Sequence, residues 1–265
     1  MPETIMDGDS TKFSATFKTA SNHNVGFNRA KTTFAEPTCK FAGYVLSEEG
    51  FRPIPDLTRD IREFPEPRNV TDLRSFFGLC QQVGNFSSKI ATAIAPLSPL
   101  LKKTEWSWGA QEESAFQIAR KELAQVQVLA FYNPDRITSI HVDASRLHGL
   151  GFILKQQDPA TSKWQLVQAR SRFLSSPDSR YAMIELECLA AAWAMKKCRP
   201  FLEGLPTFDL VTDHRLLIPI PNEYSLDKLD NSRLLRLQMT RFIFTAKWVP
   251  GKINVEADAL SRSPI

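Results

Sequence analysis

Four carboxylates in the second half of the chain lie where local structure alone gives them little reason to be. Asp143 falls inside an apolar run typical of a strand, ITSIHVDAS, and Asp213 ends another, TFDLVTD; Asp is disfavoured in strands. Glu187 has only apolar neighbours three and four positions away on a predicted helix, where its charge is costly to bury without a partner. Asp258 lies in the first turns of the last predicted helix, one turn after Asn254.

Each of these acids also has a local explanation. Asp213 could cap a helix N-terminus, Asp143 could lie in an edge strand, and Asp258 could be favoured by the helix dipole. Glu187 could turn outward, and Glu185 competes with it on the same helix. A shared cation explains all four together, because clustered carboxylates repel one another and hard oxygen ligands select Mg²⁺ or Mn²⁺. Two such ions roughly 3.5–4 Å apart can cleave phosphodiester bonds.

The elements that must position these acids follow from the hydrophobic pattern after residue 135. Strands are predicted over ITSIHVDAS, HGLGFILKQ, WQLVQARSRFL, TFDLVTD and TAKWVP. Helices are predicted over SRYAMIELECLAAAWAMKKC, RLLRLQMTRFIF and GKINVEADALSR, the last with Asn254 as its cap. Three consecutive strands, a helix, and then strands and helices in alternation predict an α/β fold with a five-stranded mixed sheet and flanking helices.

The part of the chain before residue 135 has a different character. Residues 1–36 are polar and without periodicity, and we interpret them as a leader or a remnant of a preceding element. FAGYVLSEEGFRPI predicts a hairpin with its turn at SEEG, and three amphipathic helices follow, one of them capped by Asn69. We therefore predict three parts: residues 1–36, a hairpin-plus-helices unit over 37–134, and the sheet domain over 135–265.

Composition limits the classes of function. The chain has 265 residues, of which 43% are hydrophobic and 23% charged, which is typical of globular domains. It contains no apolar run of membrane-spanning length and no signal peptide, so we expect an intracellular protein, cytoplasmic or nuclear, that is not secreted. Its four cysteines have no metal-binding spacing, and we expect them reduced. The net charge is +5 over residues 136–265 and −1 before them, which favours a polyanionic partner.

Several longer motifs resemble one family. HVDAS, YAMIELECLAAAWAM, LVTDHR and WVPGKINVEADALSR are similar to the ribonuclease H domain of gypsy-type LTR-retrotransposon polyproteins, and ADALSR is especially characteristic. CKFAGYVLSEEGFRPIPD, FPEPRNVTDLRSFFGL and WSWGAQEESAFQIARKEL resemble the thumb and connection segment of the same polyprotein. The resemblance runs from about His23 to the end of the sequence and implies a ribonuclease-H-like fold preceded by a smaller thumb-like unit.

The resemblance also implies a function. It makes the chain a ribonuclease H-type endonuclease that hydrolyses the RNA strand of RNA–DNA hybrids with two Mg²⁺ or Mn²⁺ ions. The implied metal ligands and catalytic residues are Asp143, Glu187, Asp213 and Asp258. The family pattern, with its acid two residues before Leu-Ala, favours Glu187 over Glu185. Basic side chains would supply affinity for the phosphates, and the candidates are Arg146, Arg180, Arg215 and Lys252.

Two departures from the family pattern leave alternatives open. The sequence contains no Asp-Asp pair, so the metal motif of the polymerase palm is absent and we expect no polymerisation by this chain alone. Some retroviral relatives have a His in the loop before the last acid, whereas WVPGKINVEAD has none. His214, beside Asp213, need not take over the role of that His. The alternatives are a non-catalytic nucleic-acid-binding remnant and a structural connector for a separate polymerase palm and fingers chain.

Overall fold

Contacts between residues divide the chain into two units, Met1–Glu48 and Glu49–Ile265. The computed structural model describes residues 6–28, 32, 36–84, 89–101, 105–124, 128–218, 238–262 and 264. Within these ranges, no helix combines the length and the apolar character that crossing a membrane demands. The three-part division of the chain stays a prediction.

The first unit contains a helix and a hairpin. α1 (Met6–Asn22) lies in the polar segment, where no hydrophobic period predicts a helix. β1 (Thr38–Phe41) and β2 (Tyr44–Ser47) pair antiparallel. Their two turn residues, Ala42 and Gly43, have φ of 48° and 85°, as a tight hairpin turn requires. The predicted turn at SEEG is also present, since Glu48 and Glu49 form a turn directly after β2. The turn at Ala42 was missed because it interrupts an otherwise apolar run.

The second unit begins with a strand and four helices. In chain order these are β3 (Gly50–Pro53), α2 (Pro55–Arg62), α3 (Val70–Val83), α4 (Lys89–Ile94) and α5 (Ala110–Ala124). The predicted cap of α3 is confirmed, because Asn69 Oδ1 accepts a hydrogen bond of 2.9 Å from the backbone N–H of Asp72. The face of α3 that helical spacing predicts to be apolar is buried: Leu73, Phe76, Phe77 and Cys80.

The predicted five-stranded mixed sheet is confirmed. Its strands are β4 (Thr138–Ala144), β5 (Gly149–Gln157), β6 (Trp164–Phe173), β7 (Asp209–Thr212) and β8 (Thr245–Trp248). The strand order is β6-β5-β4-β7-β8. β4, β5 and β6 form an antiparallel meander, whereas β7 runs parallel to both β4 and β8. The parallel pairs are what the intervening helical connections predict.

Helices pack on the sheet. They are α6 (Met183–Lys197), α7 (Arg199–Leu202) and α8 (Val255–Arg262). α6 packs on β4 and β5, and its Trp193 ring meets Phe152 edge-on at 5.1 Å between ring centroids. The alanines of α6 are buried in the same core, and their small side chains allow the helix to lie close to the sheet. α8 returns across β5 and β4.

One predicted helix differs from the structure. The segment RLLRLQMTRFIF begins at residue 233, and its residues up to 237 lie outside the described ranges. Residues 238 and 239 are helical, as predicted, but residues 241–244 are not, and β8 begins directly after them. The apolar residues there still pack in the domain, since the Phe242 and Phe244 rings both contact the Phe208 ring. The four cysteines all lie in the described ranges, and none of them forms a disulfide bond.

Candidate metal centre

Two of the four candidate acids meet at one edge of the sheet because their strands are parallel neighbours. The register pairs His141 of β4 with Val211 of β7. Two residues further on, the same register sets Asp143 beside Asp213, with both side chains on one face of the sheet. Asp143 is the penultimate residue of β4, and Asp213 directly follows β7.

The third acid comes from a helix. Glu187 lies in the second turn of α6, on the side that packs against β4. One carboxylate oxygen each from Asp143, Glu187 and Asp213 lies within 4.8 Å of the other two. We call these three residues the carboxylate cluster. The competing acid, Glu185, accepts a hydrogen bond of 2.8 Å from the backbone N–H of Ala182 and thereby caps the start of α6.

Two acids of the carboxylate cluster are buried, Asp213 is half-buried, and their charges repel one another. Asp143 is 5% exposed and Glu187 2% exposed. Burial raises the pKa of Asp143 to about 7; a hydrogen bond from Ser261 opposes the rise, and the charges of Asp213 and Asp258 add to it. Burial, followed by the charges of Asp143 and Asp213, also raises the pKa of Glu187 well above its ordinary value. Within the described part of the chain, Glu187 Oε2 is buried without a hydrogen-bond partner.

The fourth candidate acid, Asp258, lies outside the carboxylate cluster among the described residues. Its Oδ1 accepts a hydrogen bond of 2.6 Å from Arg262 Nε, one turn further along α8. Its side chain is 33% exposed. Asp258 is nevertheless close enough for its charge to raise the pKa of Asp143. A role for Asp258 as a fourth ligand therefore stays a prediction.

The segment from β8 to α8 supports the carboxylate cluster through contacts that local patterns do not reveal. Trp248 Nε1 donates a hydrogen bond of 2.8 Å to the backbone carbonyl of Asp213. A Cβ atom on Gly251 would lie 2.8 Å from Asp213 Oδ2, so a larger residue there would require the Asp213 carboxylate to shift. Asn254 directly precedes α8, but its side chain does not cap the helix as predicted. Its Nδ2 donates instead to the carbonyl of Val142, at 2.9 Å.

The four basic residues predicted to bind nucleic acid are all exposed. Arg146 lies in the turn after β4, Arg180 ends a 3₁₀ turn before α6, and Lys252 lies in the turn before α8. Arg215 follows Asp213 closely, and its guanidinium lies 4.1 Å from the centroid of the Trp248 ring. Exposure leaves these side chains accessible to a polyanion, and their role stays a prediction.

His214, between Asp213 and Arg215, is half-buried. It directly precedes the 3₁₀ turn after β7, and its side chain makes no capping hydrogen bond. Its Nδ1 has no hydrogen-bond partner among the described residues. Its backbone N–H donates to Thr212 Oγ1 at 3.1 Å, which holds the loop that carries Asp213.

Comparison with known proteins follows the geometry. Residues 108–210 match a family model described as an RNase H-like domain found in reverse transcriptase. The Tf2-3 transposon polyprotein of Schizosaccharomyces pombe (strain 972 / ATCC 24843) is 32% identical over 246 residues, which is 91% of this chain. Over nearly its whole length, the chain is similar to a segment of gypsy-type LTR-retrotransposon polyproteins. The Tf2-4 polyprotein of the same organism matches equally well.

The gypsy-type relatives are much longer than this chain, which spans 18% of the length of the Tf2-3 polyprotein. The matched family model includes Asp143 and Glu187 and ends at residue 210, before Asp213 and Asp258. The resemblance of the segment before β4 to the thumb and connection of gypsy-type polyproteins agrees with the coverage of the polyprotein match, which is nearly the whole chain.

Solved structures show the same fold. A foamy viral protease–reverse transcriptase in complex with an RNA/DNA hybrid superposes with a TM-score of 0.67 at 14% identity, covering 91% of this chain and 33% of the viral one. The same viral protein in complex with double-stranded DNA superposes with a TM-score of 0.61 at 14% identity, covering 83% and 47%. At this identity, the likeness shows the fold alone.

Proposed function

We propose that this chain is a ribonuclease H that hydrolyses the RNA strand of RNA–DNA hybrids. The observation that carries the proposal is the carboxylate cluster, which lies at the shared edge of β4 and β7 with one acid supplied by α6. The fold and the family are those of the ribonuclease H region of reverse transcriptases. Three converging carboxylates in such a fold support hydrolysis of a phosphodiester bond.

The donor set fits a divalent cation. All three ligands offer carboxylate oxygens, which are the donors that Mg²⁺ and Mn²⁺ prefer. Glu187 Oε2 is buried without a hydrogen-bond partner in the described residues, and a cation would satisfy it. We propose two ions, held by the carboxylate cluster and by Asp258 once its side chain turns from Arg262. Bound ions of this kind activate water and offset negative charge on the scissile phosphate.

The protein's own residues would supply position and surroundings. Asp143 is held near the end of β4, where it pairs with Gly151 of β5, and Asp213 directly follows β7. Glu187 is fixed by packing of α6 on the sheet. The burial of Asp143 and Glu187 excludes water from one side of the site and strengthens electrostatic interactions there. Rigid supports of this kind keep catalytic groups in a productive geometry.

Binding of the hybrid would rely on phosphate contacts and on helix shape. An RNA–DNA hybrid is recognised through its phosphates and 2′-OH groups rather than its sequence. Arg146, Arg215 and Lys252 lie exposed on loops that adjoin the strands or the helix bearing the acids, and Arg180 precedes α6. The viral protein with the same fold has been solved with an RNA/DNA hybrid, which supports this class of ligand.

The testing experiment is a cleavage assay on a labelled RNA–DNA hybrid with Mg²⁺. Wild type should cut the RNA strand of the hybrid and leave single-stranded RNA largely intact. Asp143→Asn should abolish cutting and keep the fold, because it removes a ligand charge and conserves side-chain volume. Asp135→Asn is the matched control, since Asp135 is an exposed acid that precedes β4.

The outcomes separate the alternatives. Circular dichroism establishes that each variant is folded. Equal cutting by wild type and Asp143→Asn would remove Asp143 from the mechanism. A folded wild type that binds the hybrid without cutting would support a nucleic-acid-binding remnant, and one that neither binds nor cuts would support a structural connector.

A further inference from the structure

A serine of the last helix, Ser261, contacts an acid of the carboxylate cluster. Ser261 lies in the last turn of α8 and is fully buried. Its Oγ forms a hydrogen bond with Asp143 Oδ2. The same Oγ lies 2.9 Å from the backbone carbonyl oxygen of Asp258. A serine hydroxyl carries one proton, so it donates to only one of these two oxygens at a time.

The approach of α8 to the sheet is built into the sequence. A Cβ atom on Gly151 of β5 would lie 2.5 Å from Ser261 N and 2.7 Å from the Ala257 carbonyl oxygen. No side chain other than hydrogen fits there, so Gly151 lets α8 lie directly on β5. At the other end of the helix, Asn254 Nδ2 donates to the Val142 carbonyl. α8 is thus held at both ends, which fixes where the Ser261 hydroxyl lies.

The contact differs from what helix packing alone requires. A buried serine in a helix can satisfy its hydroxyl with a carbonyl one turn earlier, and the Asp258 carbonyl is available to Ser261 for this. The hydrogen bond therefore matters more for the orientation of the Asp143 carboxylate than for satisfying the Ser261 hydroxyl. The hydroxyl is an uncharged donor at a site crowded with acids, and it holds one carboxylate oxygen of Asp143 in a fixed orientation.

We infer that Ser261 is a positioning residue that orients Asp143 for cation binding at the carboxylate cluster. The inference rests on the proposed function, because it assumes that the cluster binds a divalent cation. Hydrogen-bond partners of metal ligands typically contribute about 10–100-fold to metal affinity or activity. Ser261 has no charge and need not contact the ion or the substrate, so its effect is expected in affinity for the cation rather than for the hybrid.

The test measures Mn²⁺ binding by calorimetry on the full chain, alongside thermal unfolding and hybrid binding without metal. Ser261→Ala should weaken Mn²⁺ binding about tenfold and leave metal-free hybrid binding unchanged. Ser261→Cys, which keeps the shape and is a much weaker donor, should weaken Mn²⁺ binding in the same direction if the alanine variant folds poorly. Thr138→Val is the matched control, since it removes a buried hydroxyl from the far end of β4.

The outcomes distinguish the two proposals. If wild type binds Mn²⁺ and cuts the hybrid while both Ser261 variants bind Mn²⁺ as wild type does, the role of Ser261 is overturned and the proposed function stands. If Thr138→Val weakens Mn²⁺ binding as much as Ser261→Ala, the effect is one of general stability and the role of Ser261 is likewise overturned. A folded wild type that neither binds Mn²⁺ nor cuts would overturn both.

Discussion

Two places in the sheet domain bury carboxylates, and they neutralise them differently. Asp178, in the 3₁₀ turn before α6, accepts hydrogen bonds of 2.7 Å from Arg172 and 3.0 Å from the backbone N–H of Ser175. Burial would raise the pKa of Asp178, but the hydrogen bonds from Ser175 and Arg172 outweigh it and the pKa is lowered. In the carboxylate cluster the balance is reversed, and the pKa values of Asp143 and Glu187 are raised.

The difference lies in the partner that each site contains. The protein supplies a cation to Asp178, as the Arg172 guanidinium, so the turn is stable without any ligand. In the carboxylate cluster, burial and the charges of Asp213 and Asp258 raise the pKa of Asp143, and the Ser261 hydrogen bond and the Arg262 charge do not offset them. A buried group of acids without a protein cation is typical of a functional site, where local stability is lower in the absence of a ligand.

The largest expected effect concerns pH and metal. The raised pKa of Asp143, about 7 against an ordinary 3.8, means that the folded state binds its proton more tightly than the unfolded state. The contribution of Asp143 to the stability of the metal-free protein should therefore be greatest below about pH 4. It should fall as pH rises towards 7, by at most about 4 kcal/mol. Thermal unfolding across this range checks it.

Added Mg²⁺ sharpens this test. Because the cation binds the ionised acids of the folded state, it should restore stability at neutral pH and have little effect at pH 5. Asp143→Asn should flatten this metal-free pH dependence, because it removes the group that titrates, whereas Asp178→Asn should leave it in place. A metal-free stability that rises steadily from pH 4 to 7 would contradict the unfavourable charge assigned to the carboxylate cluster.

The next effect is on catalysis. Glu187→Gln should lower the cleavage rate by at least about 100-fold, because it removes a proposed metal ligand. Losing a ligand should reduce activity more than losing a residue that only hydrogen-bonds to a ligand. The same change should leave the metal-free protein as stable as wild type or more so, since it removes a buried charge. Single-turnover cleavage and thermal unfolding measure the two effects. Glu185→Gln, on the same helix, is the control and should keep near-normal cleavage.

A smaller effect is expected at the neutralised site. Asp178→Asn should destabilise the fold by about 1–2 kcal/mol, because Arg172 loses its charged partner in a half-buried place. Cleavage per folded molecule should stay unchanged. Urea unfolding with an activity assay at a matched folded fraction would show this. A loss of activity larger than the loss of folded protein would end the contrast between the two sites.

The smallest effect concerns the surface. Arg215→Ala should weaken hybrid binding a few-fold in low salt and reduce the slope of log affinity against log salt by about 1, as expected for one phosphate contact. Arg59, which is exposed on α2 and pairs with Asp56, is the control. Fluorescence anisotropy over a salt series is the measurement, and identical slopes for wild type and Arg215→Ala would exclude the contact.

Local patterns predicted most of the fold. In the sheet domain, the five predicted strands and the helices α6 and α8 agree with the structure to within a few residues, because each depends on hydrophobic periodicity. The helix predicted over RLLRLQMTRFIF does not extend over residues 241–244. The cap at Asn69 was predictable because its partner, Asp72, lies only three residues away in the chain. The β1–β2 hairpin was missed, because its Ala-Gly turn is weaker than the Asn-Gly or Asp-Gly signal.

The candidate site was predictable in part. Three of the four acids cluster, and Glu187 rather than Glu185 is the one that does. The remainder depends on contacts between distant residues: Asn254 bonds with Val142, 112 residues away, and Ser261 with Asp143, 118 residues away. Asp258 was expected among the ligands, yet it bonds with Arg262, because a carboxylate one turn from an arginine can pair locally.

The contacts of α8 with β4 set the order in which the site can be assembled during synthesis. Asp143 leaves the ribosome 118 residues before Ser261 does. At about 5–20 residues per second, the interval is roughly 6–24 seconds. During that time β4, β5 and β6 can pair, because they are adjacent in the chain and need no later residue. The nascent chain can therefore form the β4–β6 meander before its acidic site is complete, and cation binding should reach its full affinity only after α8 has been translated.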